Sequence, residues 1–250
     1  QAIKRDELSL FYQPIVDLKT GKIRCFEALL RWFHPVKGEL RPGEFIPVAE
    51  ETGVIVTLGN WITRQAAMAC AQWPEDVSVA VNLSPLQIKA PGAVLAIESA
   101  LREADLDPSR LELEVTESLF IEDSEQTAAF IEELSAMGVR FALDDFGTGY
   151  SSLAYIHKFP FSKIKVDRCF VSGEDTGPRA HAIIRAVAAM GHQLDMEIVA
   201  EGIEEQEQVE TVREAGCTLG QGYFFSRAVP DYLAAMLLAQ DREGDGLRAA

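Results

Sequence analysis

Cationic charge is what this sequence has least of. Lys and Arg number 23 against 39 Asp and Glu, for a formal net charge of -16 over 250 residues. Such an excess repels phosphate-rich surfaces, so duplex DNA, duplex RNA and anionic membranes are not expected partners. A ligand carrying phosphate would need local cations, either metal ions or a few placed Lys and Arg side chains. Cysteine is scarce as well. Cys25, Cys70, Cys169 and Cys217 stand far apart without paired spacing, which suits reduced thiols in a cytoplasm. The four histidines, His34, His157, His181 and His192, show no ligand spacing, and zinc is a poor fit. No apolar run is long enough to span a bilayer, and no signal peptide is recognisable. GxGxxG, P-loop and GxSxG motifs are missing, as are low-complexity segments and fixed-period repeats. The chain opens on Gln1 and the charged AIKRDEL, and is expected to be a piece of a longer polypeptide.

What is present reads as a regular alternation. Hydrophobic residues make up 48% of the chain, enough for a sizeable core, and Trp32, Trp61 and Trp73 are expected to join it. Short apolar or alternating runs predict strands near 8–16, 23–32, 77–83, 110–116, 139–145, 161–167, 195–201 and 218–224. Helices are expected near 43–52, 55–73, 91–104, 124–137, 151–158, 178–193, 204–215 and 230–239, with Gly138, Gly191 and Gly216 as stop signals. Strand–helix alternation repeated about eight times implies parallel strands in an α/β fold, and closure into a TIM-type barrel is the economical solution. An open doubly wound sheet is the alternative. The final DREGDGLRAA, residues 241–250, is expected to be a mobile tail.

Within the strands, polar residues follow a period of two. In RLELEVT, Glu112 and Glu114 share a face opposite Leu111, Leu113 and Val115; in FSKIKVD, Lys163, Lys165 and Asp167 oppose Ile164 and Val166. The apolar faces should pack under helices, which points the acids and lysines into the barrel. Asn82, Glu114, Asp144, Asp145, Asp167 and Glu201 all fall at or near C-terminal strand ends, where such barrels place their active sites. A donor set of oxygen alone selects hard octahedral cations, Mg²⁺ or Mn²⁺. The adjacent acids of RFALDDFGTGYSSL are then explained by an ion held between Asp144 and Asp145.

At this point the motifs resemble the EAL-domain family of cyclic di-GMP phosphodiesterases. FEALLRW at 26–32 carries Glu27, Ala28, Leu29 and Arg31 of the family signature. VNLS, ELEVTES, DDFGTGYSSL, IKVD, AEGIE and GQGYFFS follow in family order, and the likeness covers about residues 8 to 236. The resemblance implies one barrel domain over residues 1–240, modified by one early antiparallel strand, and hydrolysis of cyclic di-GMP to linear 5′-pGpG with two Mg²⁺ or Mn²⁺ ions. It implies Glu27, Asn82, Glu114 and Asp144 as ligands of one ion, and Asp144, Asp145 and Glu201 as ligands of the other, with Asp167 close by. Lys165 corresponds to the lysine contacting the attacking water, Arg31 to a phosphate-holding residue, and Gln13, Leu29, Glu204 and Gln221 to substrate-contacting or supporting positions. Glu117 resembles an acid that anchors the loop 146–153; the plainer reading makes it a solvated helix-start acid. The family usually has Pro after FFSR, where this chain has Ala228. Homodimerisation and a flanking sensor or GGDEF-type domain are also implied. Two other readings stay open: a catalytically inactive cyclic di-GMP receptor of the same fold, and an unrelated metal-dependent barrel enzyme. The general base is left open.

Overall fold

The structure, a computed structural model, describes residues 2–120, 125–147, 154–172, 176–244 and 247. Its strands are β1 (Leu8–Asp17), β2 (Ile23–His34), β3 (Gly38–Leu40), β4 (Ser78–Asn82), β5 (Leu111–Thr116), β6 (Arg140–Phe146), β7 (Phe161–Val166), β8 (Glu197–Ala200), β9 (Leu219–Gln221) and β10 (Val229–Pro230). The helices are α1 (Pro42–Glu51), α2 (Ile55–Cys70), α3 (Pro85–Ile88), α4 (Ala93–Ala104), α5 (Glu125–Ala136), α6 (Ala154–Lys158), α7 (Pro178–Gln193), α8 (Gln206–Glu214) and α9 (Asp231–Glu243). Neighbours run β2–β4–β5–β6–β7–β8–β9 in parallel, and β1 closes the ring antiparallel to both β2 and β9. This is the expected barrel of eight strands with one early strand reversed.

Two apolar regions hold it together. The larger lies between the strands and the surrounding helices, where Leu111, Leu113, Val115, Ile164 and Val166 are buried on the face predicted for them. The smaller is a plug inside the barrel made of Ile15, Cys25, Ala80, Val199 and Leu219. Cys25, Ala80, Val199 and Leu219 each stand two residues before a polar residue, Glu27, Asn82 and Gln221 in the same strand and Glu201 directly after β8. In the reversed β1 the order is inverted, with Gln13 before Ile15. The pleat therefore puts both sets on the inner face, plug below and polar groups at the rim. Trp73 is buried and Trp32 and Trp61 pack against the core.

Departures from the sequence reading lie at the edges. β3, β10 and the one-turn α3 were too short to give a periodic signal. α2 stops at Cys70 and α8 begins at Gln206. Part of the 241–250 segment is described. α9 continues to Glu243, Asp241 is buried and accepts from the Ile23 amide at 3.3 Å, and the Leu247 amide donates to Gly21 at 2.8 Å. The hydroxyl residues Thr148, Tyr150, Ser151 and Ser152 lie outside the described residues.

Gly222, directly after β9, has no room for a side chain. A Cβ there would stand 2.0 Å from the Ile203 carbonyl oxygen and 2.3 Å from its nitrogen, both backbone atoms that cannot swing aside. Gly222→Ala is expected to destabilise the fold by about 3 kcal/mol, the upper range for a packing clash. A urea titration with an unchanged midpoint would contradict this.

Candidate active site

The rim gathers the polar residues around one ammonium. Lys165, 1% exposed, has its Nζ at 2.8 Å from Glu201 Oε1, 2.9 Å from Glu114 Oε2, 3.2 Å from Asp144 Oδ1 and 3.4 Å from Glu27 Oε2. Glu27 is further fixed by neutral donors. Asn82 Nδ2 donates to its Oε1 at 2.7 Å, and Gln221 Nε2 to its Oε2, also at 2.7 Å. Gln221 Nε2 also reaches Gln13 Oε1 at 3.3 Å, and Gln13 Nε2 donates to the Ser226 carbonyl. Seven strands, with Glu201 directly after β8, thus deliver side chains to one cluster around Glu27 and Lys165.

The charge is unequally shared. Burial would raise the Glu27 carboxyl, but Lys165 and the two amide donors outweigh it and hold it below its usual range. Burial raises Glu114 well above that range despite Lys165, with Glu27 and Asp144 adding to the shift. Glu201 is pushed up to about 7, by burial first and then by Asp144 and Glu27. Burial and the neighbouring Asp144 and Asp167 raise Asp145. Burial disfavours the Lys165 ammonium, yet Asp144, Glu114, Glu201 and Glu27 together raise it well above its ordinary value. Lys165 is therefore a fixed cation and hydrogen-bond donor.

Adjacent strand residues should point to opposite sides, which leaves Asp144 and Asp145 as a puzzle. The backbone resolves it. Asp145 takes a left-handed φ of +54°, and the β6–β7 register shifts between Leu143 and Phe146. The irregularity breaks the alternation and turns both carboxylates to the rim. Carboxylate oxygens of Asp144, Asp145 and Glu201 all lie within 4.8 Å of one another. Glu117 follows directly on β5. It is buried and accepts from the Gly147 amide at 3.1 Å, just past the two acids.

These residues fit a divalent metal. Seven carboxylates, those of Glu27, Glu114, Asp144, Asp145, Asp167, Glu201 and Glu204, face the Lys165 ammonium and the Arg168 guanidinium, an excess of negative charge that divalent cations would offset. Glu114 Oε1 and Gln221 Oε1 are buried without a hydrogen-bond partner, and every donor is oxygen, as Mg²⁺ and Mn²⁺ prefer.

A cleft of about 330 Å³ opens above the cluster, lined in part by Gln13, Glu27, Leu29, Asp144, Asp145, Lys165, Asp167, Glu201, Glu204 and Gln221. Asp167 is partly committed, since its Oδ1 accepts from the Cys169 amide at 2.9 Å. Asn82 and Glu114 reach the site through Glu27 and Lys165. Arg31 is placed apart, outside the residues lining the cleft. Its Nε is 3.6 Å from Glu39, and its guanidinium lies 5.6 Å from the Phe11 ring centre. Arg168, Gly202 and Tyr223 also line the cleft and escaped the sequence reading. Each stands within two residues of one already singled out, Asp167, Glu201 or Gln221, so position just beyond a strand end was the available signal.

The raised carboxyls give a pH dependence. Glu201 binds its proton up to about pH 7 when folded, against 4.5 for an ordinary glutamate. The folded state without metal then holds more protons than the unfolded chain between those values, so its stability should fall as pH rises through this window. Glu114 and Asp145 act in the same direction. Metal binding must displace these protons, so Mn²⁺ affinity should increase as pH rises towards about 7. Melting curves in chelator and Mn²⁺ titrations from pH 5 to 8 check both; a flat affinity would refute the assignment.

Comparison with known proteins places relatives of one family beside this chain. Bifunctional diguanylate cyclase/cyclic di-GMP phosphodiesterase MucR of Pseudomonas aeruginosa is 43% identical over 243 residues, covering 96% of this chain and 35% of MucR. Cyclic di-GMP phosphodiesterase NbdA of the same organism is 41% identical over 240 residues, 94% of this chain and 30% of NbdA. This chain thus spans about a third of the length of these relatives. The solved PaMucR phosphodiesterase in complex with c-di-GMP superposes with a TM-score of 0.89 at 42% identity, covering 94% of this chain and 96% of that one. Residues 1–228 match the model of the EAL domain, and the chain belongs to the EAL-domain family.

Proposed function

We propose that this domain hydrolyses cyclic di-GMP to linear 5′-pGpG. The observation that carries the reading is the complete oxygen-donor rim around Lys165, with Glu27 fixed by Asn82 and Gln221. Glu27, Asn82, Glu114 and Asp144 would hold one Mg²⁺ or Mn²⁺, and Asp144, Asp145 and Glu201 the second, with Asp167 nearby. Bound there, divalent ions would supply Lewis acidity towards the phosphodiester and make an attacking water more acidic.

The chain's own residues have separable tasks. Lys165 keeps its proton and orients what lies at the rim by donating. Gln221 and Asn82 aim Glu27. Gln13, Leu29, Glu204 and Gln221 line the cleft beside the ligand, and Arg31, after leaving Glu39, would meet a phosphate. Glu117 holds the backbone after the two acids. Cyclic di-GMP is the proposed partner, in a cytoplasmic, homodimeric protein that carries a flanking sensor or GGDEF-type domain. No helix among the described residues is long and apolar enough to cross a membrane.

The test is incubation of the purified domain with cyclic di-GMP and Mg²⁺ or Mn²⁺, with products resolved by chromatography. Metal-dependent appearance of pGpG supports the proposal. Intact ligand that nevertheless binds would identify a receptor.

A further inference from the structure

Below the rim sits a second pair of opposite charges that catalysis as described does not use. Lys163 Nζ lies 2.6 Å from Glu112 Oε1, and the two side chains are 2% and 0% exposed. A buried ion pair is seldom a net source of stability, because desolvation offsets much of the attraction. The strand register makes the pairing more pointed. Glu114 pairs with Ala142 on β6, and Ala142 pairs with Lys163 on β7, so Lys163 starts from the same row as Glu114. Glu112 is one inward-facing step lower, beside Arg140 in the register. Two strand spacings of about 4.8 Å separate Glu114 from Lys163, within reach of two long side chains meeting inside the barrel. Yet the Lys163 ammonium is turned down to Glu112, while Glu114 Oε1 keeps no hydrogen-bond partner.

We propose that Glu112 is a positioning residue that holds Lys163 away from Glu114 and so keeps a second ammonium out of the metal site. The inference rests on the two-metal reading above. A lysine released in the barrel interior would have Glu197 beside it in the β8 register and Glu114 two strands away, and a cation at Glu114 would compete with a divalent ion for the same oxygens. Glu112 prevents this while leaving Lys165 as the single ammonium at the rim.

The experiment is Mn²⁺ binding, followed by electron paramagnetic resonance or calorimetry, on wild type, Glu112→Gln, Lys163→Met and the double variant, each verified as folded by circular dichroism. Glu112→Gln is expected to weaken Mn²⁺ binding about tenfold or more, the scale for losing a partner that orients metal ligands. Lys163→Met, and Lys163→Met combined with Glu112→Gln, should bind at least as tightly as wild type, because the competitor is gone. Rescue by a second substitution that also removes the ion pair separates restraint from a merely structural role. Weakened binding in Lys163→Met, or a double variant as poor as Glu112→Gln, would overturn the proposal. The Lys163→Met comparison stands even if Glu112→Gln does not fold. Wild type that binds no Mn²⁺ would overturn the metal reading and this inference with it; wild type that binds while Glu112→Gln binds equally well would overturn this inference alone.

Discussion

Replacing Lys165 with Met is expected to abolish hydrolysis and to make the metal-free protein markedly less stable. Four carboxylates lie within 3.4 Å of this ammonium, and Met keeps the length of the side chain while removing its charge. Breaking a buried pair by deleting one partner costs about 3–5 kcal/mol, because the remaining charge is left uncompensated. Some of this will be absorbed by protonation, since Glu114 and Glu201 already hold protons more tightly than an ordinary carboxyl. Two measurements are therefore needed. Melting in chelator at pH 8 should show the deficit, and added Mn²⁺ should recover much of it, because divalent ions replace the lost positive charge. Turnover should stay lost even with saturating Mn²⁺, because a positioned donor is missing where negative charge develops. A variant with wild-type turnover would remove Lys165 from the chemistry; one with unchanged stability in chelator would refute the balance of charge described here.

Much of this was legible in the sequence because strand periodicity is a strong signal. The alternation in RLELEVT and FSKIKVD placed Glu112, Glu114, Lys163 and Lys165 inside the barrel, and all four are buried there. Strand-end position placed Asp144, Asp145, Asp167 and Glu201 on one cleft. What periodicity could not supply was any departure from itself. A strict strand would send Asp144 and Asp145 to opposite sides; the left-handed backbone at Asp145 and the slipped register of β6 bring them together, and a single aspartate does not announce either. The pairing of Lys163 with Glu112 and not Glu114 was likewise invisible, since both acids share a face and only the three-dimensional path of the lysine decides between them. Arg31 shows the converse. Its residue type suited a phosphate, but the short β3 hairpin, too brief to be read, brings Glu39 beside it.

Glu117→Ala is expected to cut turnover about a hundredfold while leaving most of the fold's stability intact. Glu117 sits at the end of β5, three residues beyond Glu114, and its carboxylate accepts from the Gly147 amide at 3.1 Å. Gly147 has a φ of +95°, and a Cβ there would come within 3.0 Å of the Phe170 ring, so the backbone is held close from the other side as well. The two acids Asp144 and Asp145 immediately precede this clamp. A misplacement of about 1 Å at a reacting centre can cost about a hundredfold in rate, whereas the loss of one hydrogen bond costs the fold only about 1 kcal/mol. Tyr155 supplies a separate reporter. Its phenol is raised by burial and by the nearby Glu117 carboxylate, so removing that charge should lower the phenol's titration. Glu117→Gln is the decisive companion, because its amide oxygen can still accept from Gly147. Substantial activity in Glu117→Gln beside a severe loss in Glu117→Ala, with weakened Mn²⁺ binding in the latter, is the expected pattern. Near-normal turnover and metal dependence in Glu117→Ala would instead return Glu117 to the role of a helix-start acid.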